Sequence, residues 1–176
     1  MMLPYGLRED ALALVGAGSQ GTVYRIDQTR CIKVYHRPES LALELEVLLK
    51  ARHEPQFPKV YEWGPDYMIR EYIPGISLKE HLREHPLTEN ISRQIIELFQ
   101  AFGRLGFRRM DTRMAHVLIT PDGLIKAIDP ANAMRKTGSY PRKFLSQLDD
   151  LKCKKTFLGH LRTANPSLYE NWAFKP

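Results

Sequence analysis

Three glycines are spaced as G-x-G-x-x-G in Gly16-Ala17-Gly18-Ser19-Gln20-Gly21, and the residues directly after them constrain the fold most. A dinucleotide-binding glycine turn runs from a strand straight into a helix. Here the chain continues as Thr22-Val23-Tyr24-Arg25-Ile26, alternating with the period of a strand. The glycines are therefore predicted to join two strands of a hairpin. In that geometry their backbone N–H groups can lie over phosphates.

Strand-like stretches at 12–16, 22–27 and 31–35 are bounded by Gly, Asp and Pro. Pro38 then opens a helix with Leu41, Leu45, Leu48 and Leu49 on one face, and two further strands are predicted at 59–63 and 67–72, joined by Gly64-Pro65-Asp66. Three strands, one helix and two strands make up this part. The character changes at Ile73-Pro74-Gly75, which places a boundary between a strand-rich part (1–73) and a helical part (74–176) of one domain. Ser77 with Glu80 has the spacing of a capping box for a short helix ending near His85. Thr88 opens the next helix, periodic through Ile91, Ile95, Leu98, Phe99 and Phe102 and stopped at Gly106. Short strands at 117–119 and 124–128 flank the Pro121-Asp122-Gly123 turn. Beyond 130, two or three short helices are expected, separated by Gly138, Gly159 and Asn165-Pro166.

The 176 residues suffice for one domain or two small lobes, with 43% apolar and 26% charged residues, as in a globular chain. No apolar run approaches the ~18 residues of a membrane span, and the first residues lack the apolar core of a secretory leader, so a cytoplasmic protein without a membrane partner is expected. Cys31 and Cys153 are too few for a disulfide framework or a four-cysteine zinc site. The net charge of +6 is uneven. Seven basic residues between Arg135 and Lys155 face only Asp149 and Asp150, and four arginines between Arg104 and Arg113 face only Asp111. Such clusters suit a polyanion, an acidic protein or RNA, although a solvated basic face has the same composition.

Several residues carry possible chemistry. Lys33 stands between Ile32 and Val34 in the third strand. Glu44, with apolar residues one, three and four positions on, is expected to turn toward the same core and pair with it; Glu46 is the alternative. Asp111 lies in a polar loop and Asp129 at a strand end 18 residues later, one placed to face a substrate hydroxyl and the other a metal. Phosphoryl transfer needs little more than such positioning and charge neutralisation. His81 and His85 stand four apart on a helix, but nothing else suggests a closed zinc site.

In this order the motifs resemble the protein-kinase family, and most closely its small bacterial or RIO-like atypical serine/threonine members. The resemblance spans 14–131. It implies an α+β, protein-kinase-like two-lobe fold: a five-stranded antiparallel N-lobe sheet with one helix, and a shortened, mostly helical C-lobe. It also implies ATP with Mg²⁺ or Mn²⁺ as cofactors. Gly16, Gly18, Gly21 and Val23 would cover the nucleotide, Lys33 would bind its phosphates while held by Glu44, and Glu71 and Tyr72 would lie on the hinge that takes the adenine through backbone groups. Asp111 would be the catalytic base, Arg113 would lie near the γ-phosphate, and Asp129 would hold the metal.

The departures from the family pattern bear on the substrate. His116 takes the position of the family's second metal-ligating Asn, Arg109-Met110 that of its His-Arg, and Asp129-Pro130-Ala131 that of Asp-Phe-Gly. Only 45 residues follow Ala131 and no Ala-Pro-Glu is present. A serine/threonine kinase with an unknown protein or small-molecule acceptor is expected. A nucleotide-binding pseudokinase, a small-molecule kinase and an RNA-associated ATPase are the alternatives.

Overall fold

The computed structural model describes residues 4–107, 112–130 and 140–173. Five antiparallel strands form the first sheet: β1 (Ala13–Ala17), β2 (Gly21–Arg25), β3 (Arg30–Tyr35), β4 (Val60–Trp63) and β5 (Tyr67–Glu71). Their spatial order is β1-β2-β3-β5-β4. Helix α1 (Pro38–Lys50) connects β3 to β4 and begins with proline, whose missing N–H costs nothing in a first turn. Its buried residues are Leu41, Glu44, Val47 and Leu48, so the inward face keeps Leu41 and Leu48 of the predicted leucine stripe but is rotated toward Glu44 and Val47, leaving Leu45 and Leu49 half-buried. A carboxylate thus sits in the middle of an otherwise apolar face.

The two faces of the sheet differ in what they bury. Residues paired across antiparallel strands share a face. Ile32, Val34 and Ile69 form a small cluster with Leu7, Leu12, Tyr24, Ile26 and Tyr67 on one face. On the other, Lys33 is opposite Val23 and Met68, and Cys31 is opposite Arg25 and Arg70. That second face, toward α1, carries the polar residues.

After β5 the chain enters a three-stranded sheet, β6 (Ile76–Ser77), β7 (Val117–Ile119) and β8 (Ile125–Ala127), in the order β6-β7-β8. Strand β6 was not predicted; two residues are too few to show a period. Gly75 precedes it at φ 149°, where a Cβ would lie 2.3 Å from the Ile119 carbonyl oxygen. Only glycine suits that crossing.

Helix α2 (Leu78–Glu84) starts with the expected capping box: the Glu80 N–H donates to Ser77 Oγ and the Ser77 N–H to Glu80 Oε2. Helix α3 (Glu89–Arg104) is capped by Thr88, whose Oγ1 accepts from the Ile91 N–H. The remaining helices are α4 (Arg142–Asp150), α5 (Lys154–Ala164) and α6 (Pro166–Ala173). Gly159 does not separate two helices. It lies inside α5, where burial of Phe157 and Leu161 on either side outweighs the ~1 kcal/mol that a helical glycine costs. The break falls instead between Asp150 and Lys154, where Lys152 has φ 57°. Gly138 lies outside the described residues. Phe99 holds the helices together, meeting Phe144 at 5.1 Å and Trp172 at 5.2 Å, both edge to face.

Among the described residues no helix is long and apolar enough to cross a membrane. Cys31 and Cys153 are both free thiols. Burial pushes the Cys31 thiol up, against the pull of neighbouring Arg70.

Candidate active site

The loop between β1 and β2 is closed by a hydrogen bond from the Gly18 N–H to the Gly21 carbonyl at 3.0 Å. Its glycines have different physical reasons. A Cβ on Gly21 would lie 2.1 Å from the Val34 carbonyl oxygen, so this glycine lets β2 approach β3. Gly16 and Gly18 have nothing within 4 Å of that position. Their backbone faces open space.

That space belongs to a cleft of about 680 Å³. Gly16–Gly21 and Val23 line it on one side, Lys33 and Arg70 at the strands, and Thr112, Arg113, His116, Ile128, Asp129, Pro130 and Lys143 opposite. Gly16, Gly18, Gly21, Val23, Lys33, Arg113, His116 and Asp129, all singled out from the sequence, meet here.

Glu44 is fully buried, and its two oxygens serve different cations. Oε2 accepts from Lys33 Nζ at 2.5 Å, and Oε1 lies 3.5 Å from Arg70 Nη1. Glu46 is exposed, which settles the choice between the two glutamates. Lys33 Nζ also stands 4.9 Å above the Tyr35 ring and 4.0 Å from Asp129 Oδ1. Burial, then the Glu44 charge, raises the Tyr35 hydroxyl far above its ordinary pKa, so it stays neutral beside the ammonium.

Asp129 Oδ1 is buried without a hydrogen-bond partner, although its side chain as a whole is 25% exposed to the cleft. A carboxylate oxygen in that state asks for a cation or a donor. His116 Nδ1 lies 3.8 Å from Asp129 Oδ2, too far for a hydrogen bond. The two side chains converge without contact. No assembled group of three or more metal-ligating side chains occurs among the described residues, and His81 and His85 simply stack on α2 with centroids 4.6 Å apart.

Asp111, Glu71 and Tyr72 are not among the described residues that line the cleft. Asp111, with Arg109 and Met110, is outside the described residues. The Glu71 carboxylate accepts from Lys126 Nζ at 2.7 Å and from the Lys59 N–H at 3.1 Å, and the Tyr72 ring lies 4.7 Å beneath the Arg25 guanidinium. Neither side chain lines the cleft. The residue that sequence reasoning missed is Arg70, which donates from Nη1 to the Ile128 carbonyl at 2.5 Å. Strand alternation puts Arg70 on the face of Met68, but only the pairing of Met68 with Lys33 shows that this face is the one toward the site.

No family model matches the chain. It is 24% identical over 152 residues to a protein of Bacillus subtilis (strain 168) described as "Putative serine/threonine-protein kinase YrzF", covering 82% of this chain and 67% of that protein. Among solved structures, WbdD in co-crystals with the kinase inhibitor LY294002 superposes with a TM-score of 0.53 at 18% identity, covering 65% of this chain. The chain spans only 31% of the WbdD chain. The fold is kinase-like.

Proposed function

We propose that the chain is an ATP-dependent phosphotransferase with the two-lobe organisation implied by its motifs, divided near Ile73, and that it acts on a hydroxyl. The observation that carries this is Asp129 Oδ1: a buried, unpartnered carboxylate oxygen 4.0 Å from Lys33 Nζ, beneath a glycine loop whose open side faces the same cleft. These residues fit a magnesium- or manganese-bound nucleotide, with Asp129 and His116 as the side chains that would hold the metal. Bound there, such a nucleotide supplies a transferable phosphoryl group.

The protein's own contribution is positioning and charge. Glu44 fixes the Lys33 ammonium in the cleft, where it neutralises phosphate charge at no further ordering cost. The Gly16 and Gly18 backbone lets polyphosphate approach closely, and Arg113 adds a cation on the opposite wall. Asp111 keeps the role its motif implies, accepting the acceptor's proton. A serine or threonine acceptor and a RIO-like affiliation rest on the motif order. RNA or an acidic protein as a partner rests on the basic segment alone, where Lys154 already pairs with Asp149 at 3.8 Å.

His116 favours a second reading, nucleotide binding without transfer. An imidazole suits magnesium poorly where an amide oxygen would serve. Melting of the protein with ATP and either metal, followed by release of the labelled γ-phosphate, tests both readings. Stabilisation with release supports the phosphotransferase, and stabilisation without release supports the binding module. No nucleotide effect with either metal overturns the site.

A further inference from the structure

Arg70 is the one arginine buried among the described residues, at 5% exposure, and the mechanism above gives it no task. It sits in β5 opposite Cys31 of β3 and Val60 of β4. From there its guanidinium reaches two elements remote in sequence: Glu44 of α1 and the carbonyl of Ile128, immediately before Asp129. The Ile128 N–H in turn donates to the His116 carbonyl at 2.9 Å. Glu44, Arg70, the Ile128 peptide and His116 therefore form one continuous polar chain behind the cleft.

We infer that Arg70 is a positioning residue, a guanidinium that couples Glu44 to the peptide preceding Asp129 and thereby fixes the separation of Lys33 and Asp129. The inference rests on the phosphotransferase reading and extends it to how the site is assembled. Lys33 is oriented by Glu44 Oε2, and Arg70 restrains the same carboxylate through Oε1. Asp129 is oriented by the backbone that Arg70 holds at Ile128. Both contacts are made by Nη1, whose two N–H groups diverge at a fixed angle in the guanidinium plane, a geometry that a rotating ammonium does not hold. Charge points the same way. Lys33 and Arg70 balance Glu44 and Asp129, and without Arg70 the cluster would present excess negative charge to a polyphosphate. The cleft is thus held together in the free chain by an internal cation.

The test is the affinity of folded protein for ATP with Mn²⁺, in wild type, Arg70→Met, Arg70→Lys, Glu44→Gln and the Arg70→Met/Glu44→Gln double variant. Loss of a residue orienting such a site is expected to weaken binding about 10- to 100-fold, with Arg70→Lys intermediate because it restores charge but not the fork. The double variant is expected to lose less than the product of the two single effects, because the residues share the contact at Glu44 Oε1. An Arg70→Met protein that folds and binds within about twofold of wild type overturns the inference, as do fully additive effects. If Arg70→Met fails to fold, Arg70→Lys decides: binding equal to wild type removes the need for a fork. Wild type that binds no nucleotide defeats the phosphotransferase reading itself, and the inference with it.

Discussion

Glu44 Oε2 accepts a hydrogen bond from Lys33 Nζ at 2.5 Å, with side-chain exposures of 0% and 7%. Removing either partner of a buried pair leaves the other uncompensated, but here the two losses are unequal. Without Lys33, Glu44 still has Arg70 at 3.5 Å. Without Glu44, two buried cations remain, with Asp129 as their nearest anion. Glu44→Ala is expected to cost about 3–5 kcal/mol. Lys33→Met should cost less, on the order of 1–2 kcal/mol. Urea unfolding of the two variants checks the order; equal losses would show that Arg70 does not share the carboxylate.

The glycine loop separates a folding requirement from a binding one. Gly21→Ala places a methyl 2.1 Å from the Val34 carbonyl oxygen and should destabilise the protein by about 3 kcal/mol or more, because backbone must move. Gly16→Ala and Gly18→Ala meet nothing within 4 Å. They should leave the melting temperature unchanged while weakening ATP binding by about tenfold, some 1.4 kcal/mol. A fall in stability without a fall in affinity for the latter pair would remove the loop from the nucleotide site.

The contrast between these positions shows how far the sequence could be read. Strand alternation after Gly21 located the hairpin, and apolar neighbours located Lys33 and Glu44, because each signal is local and periodic. Arg70 was not legible in the same way. Its acceptors, Glu44 and the Ile128 carbonyl, are remote in sequence, and an arginine in a strand ordinarily reads as surface. Gly159 misled for the opposite reason, a strong local signal overridden by the burial of Phe157 and Leu161.

Asp129→Asn should remove the metal-dependent part of nucleotide stabilisation while barely changing melting of the free protein. The carboxylate oxygen Oδ1 has no hydrogen-bond partner to lose, and its Lys33 contact is a long 4.0 Å. Melting curves with ATP, with and without Mn²⁺, make the comparison. A metal-dependent shift that survives the substitution assigns the metal to other groups.

His116 sets the choice of metal if its ring turns toward Asp129, from which it is 3.8 Å away. Wild type is then expected to be stabilised more by ATP with Mn²⁺ than with Mg²⁺, since imidazole nitrogen is the softer donor. His116→Asn offers an oxygen and should shift the preference toward Mg²⁺. An unchanged preference, measured by thermal shift for both proteins, would reduce His116 to its backbone role of accepting from the Ile128 N–H.

The turn that leads into the lysine strand carries a pH dependence of defined sign. Asp27 Oδ1 accepts from the N–H groups of Thr29 and Arg30, both at 2.8 Å, and Oδ2 accepts from Arg30 Nε at 2.7 Å. The Thr29 backbone bond, followed by the Arg30 side chain, holds the carboxyl well below the usual range. A folded pKa below the unfolded value of about 3.9 contributes stability that is fully present above that value and fades as pH falls below it. The turn also ties neighbouring segments: the Thr29 carbonyl accepts from the Tyr72 N–H at 2.8 Å, joining the start of β3 to the segment after β5. Asp27→Asn should therefore be less stable than wild type at pH 7, by a margin that narrows steadily from about pH 4 downward. Urea midpoints of the two proteins at pH 7, about 4 and about 2.5 give the comparison. A margin constant across that range would mean that the Asp27 charge contributes nothing to holding the turn.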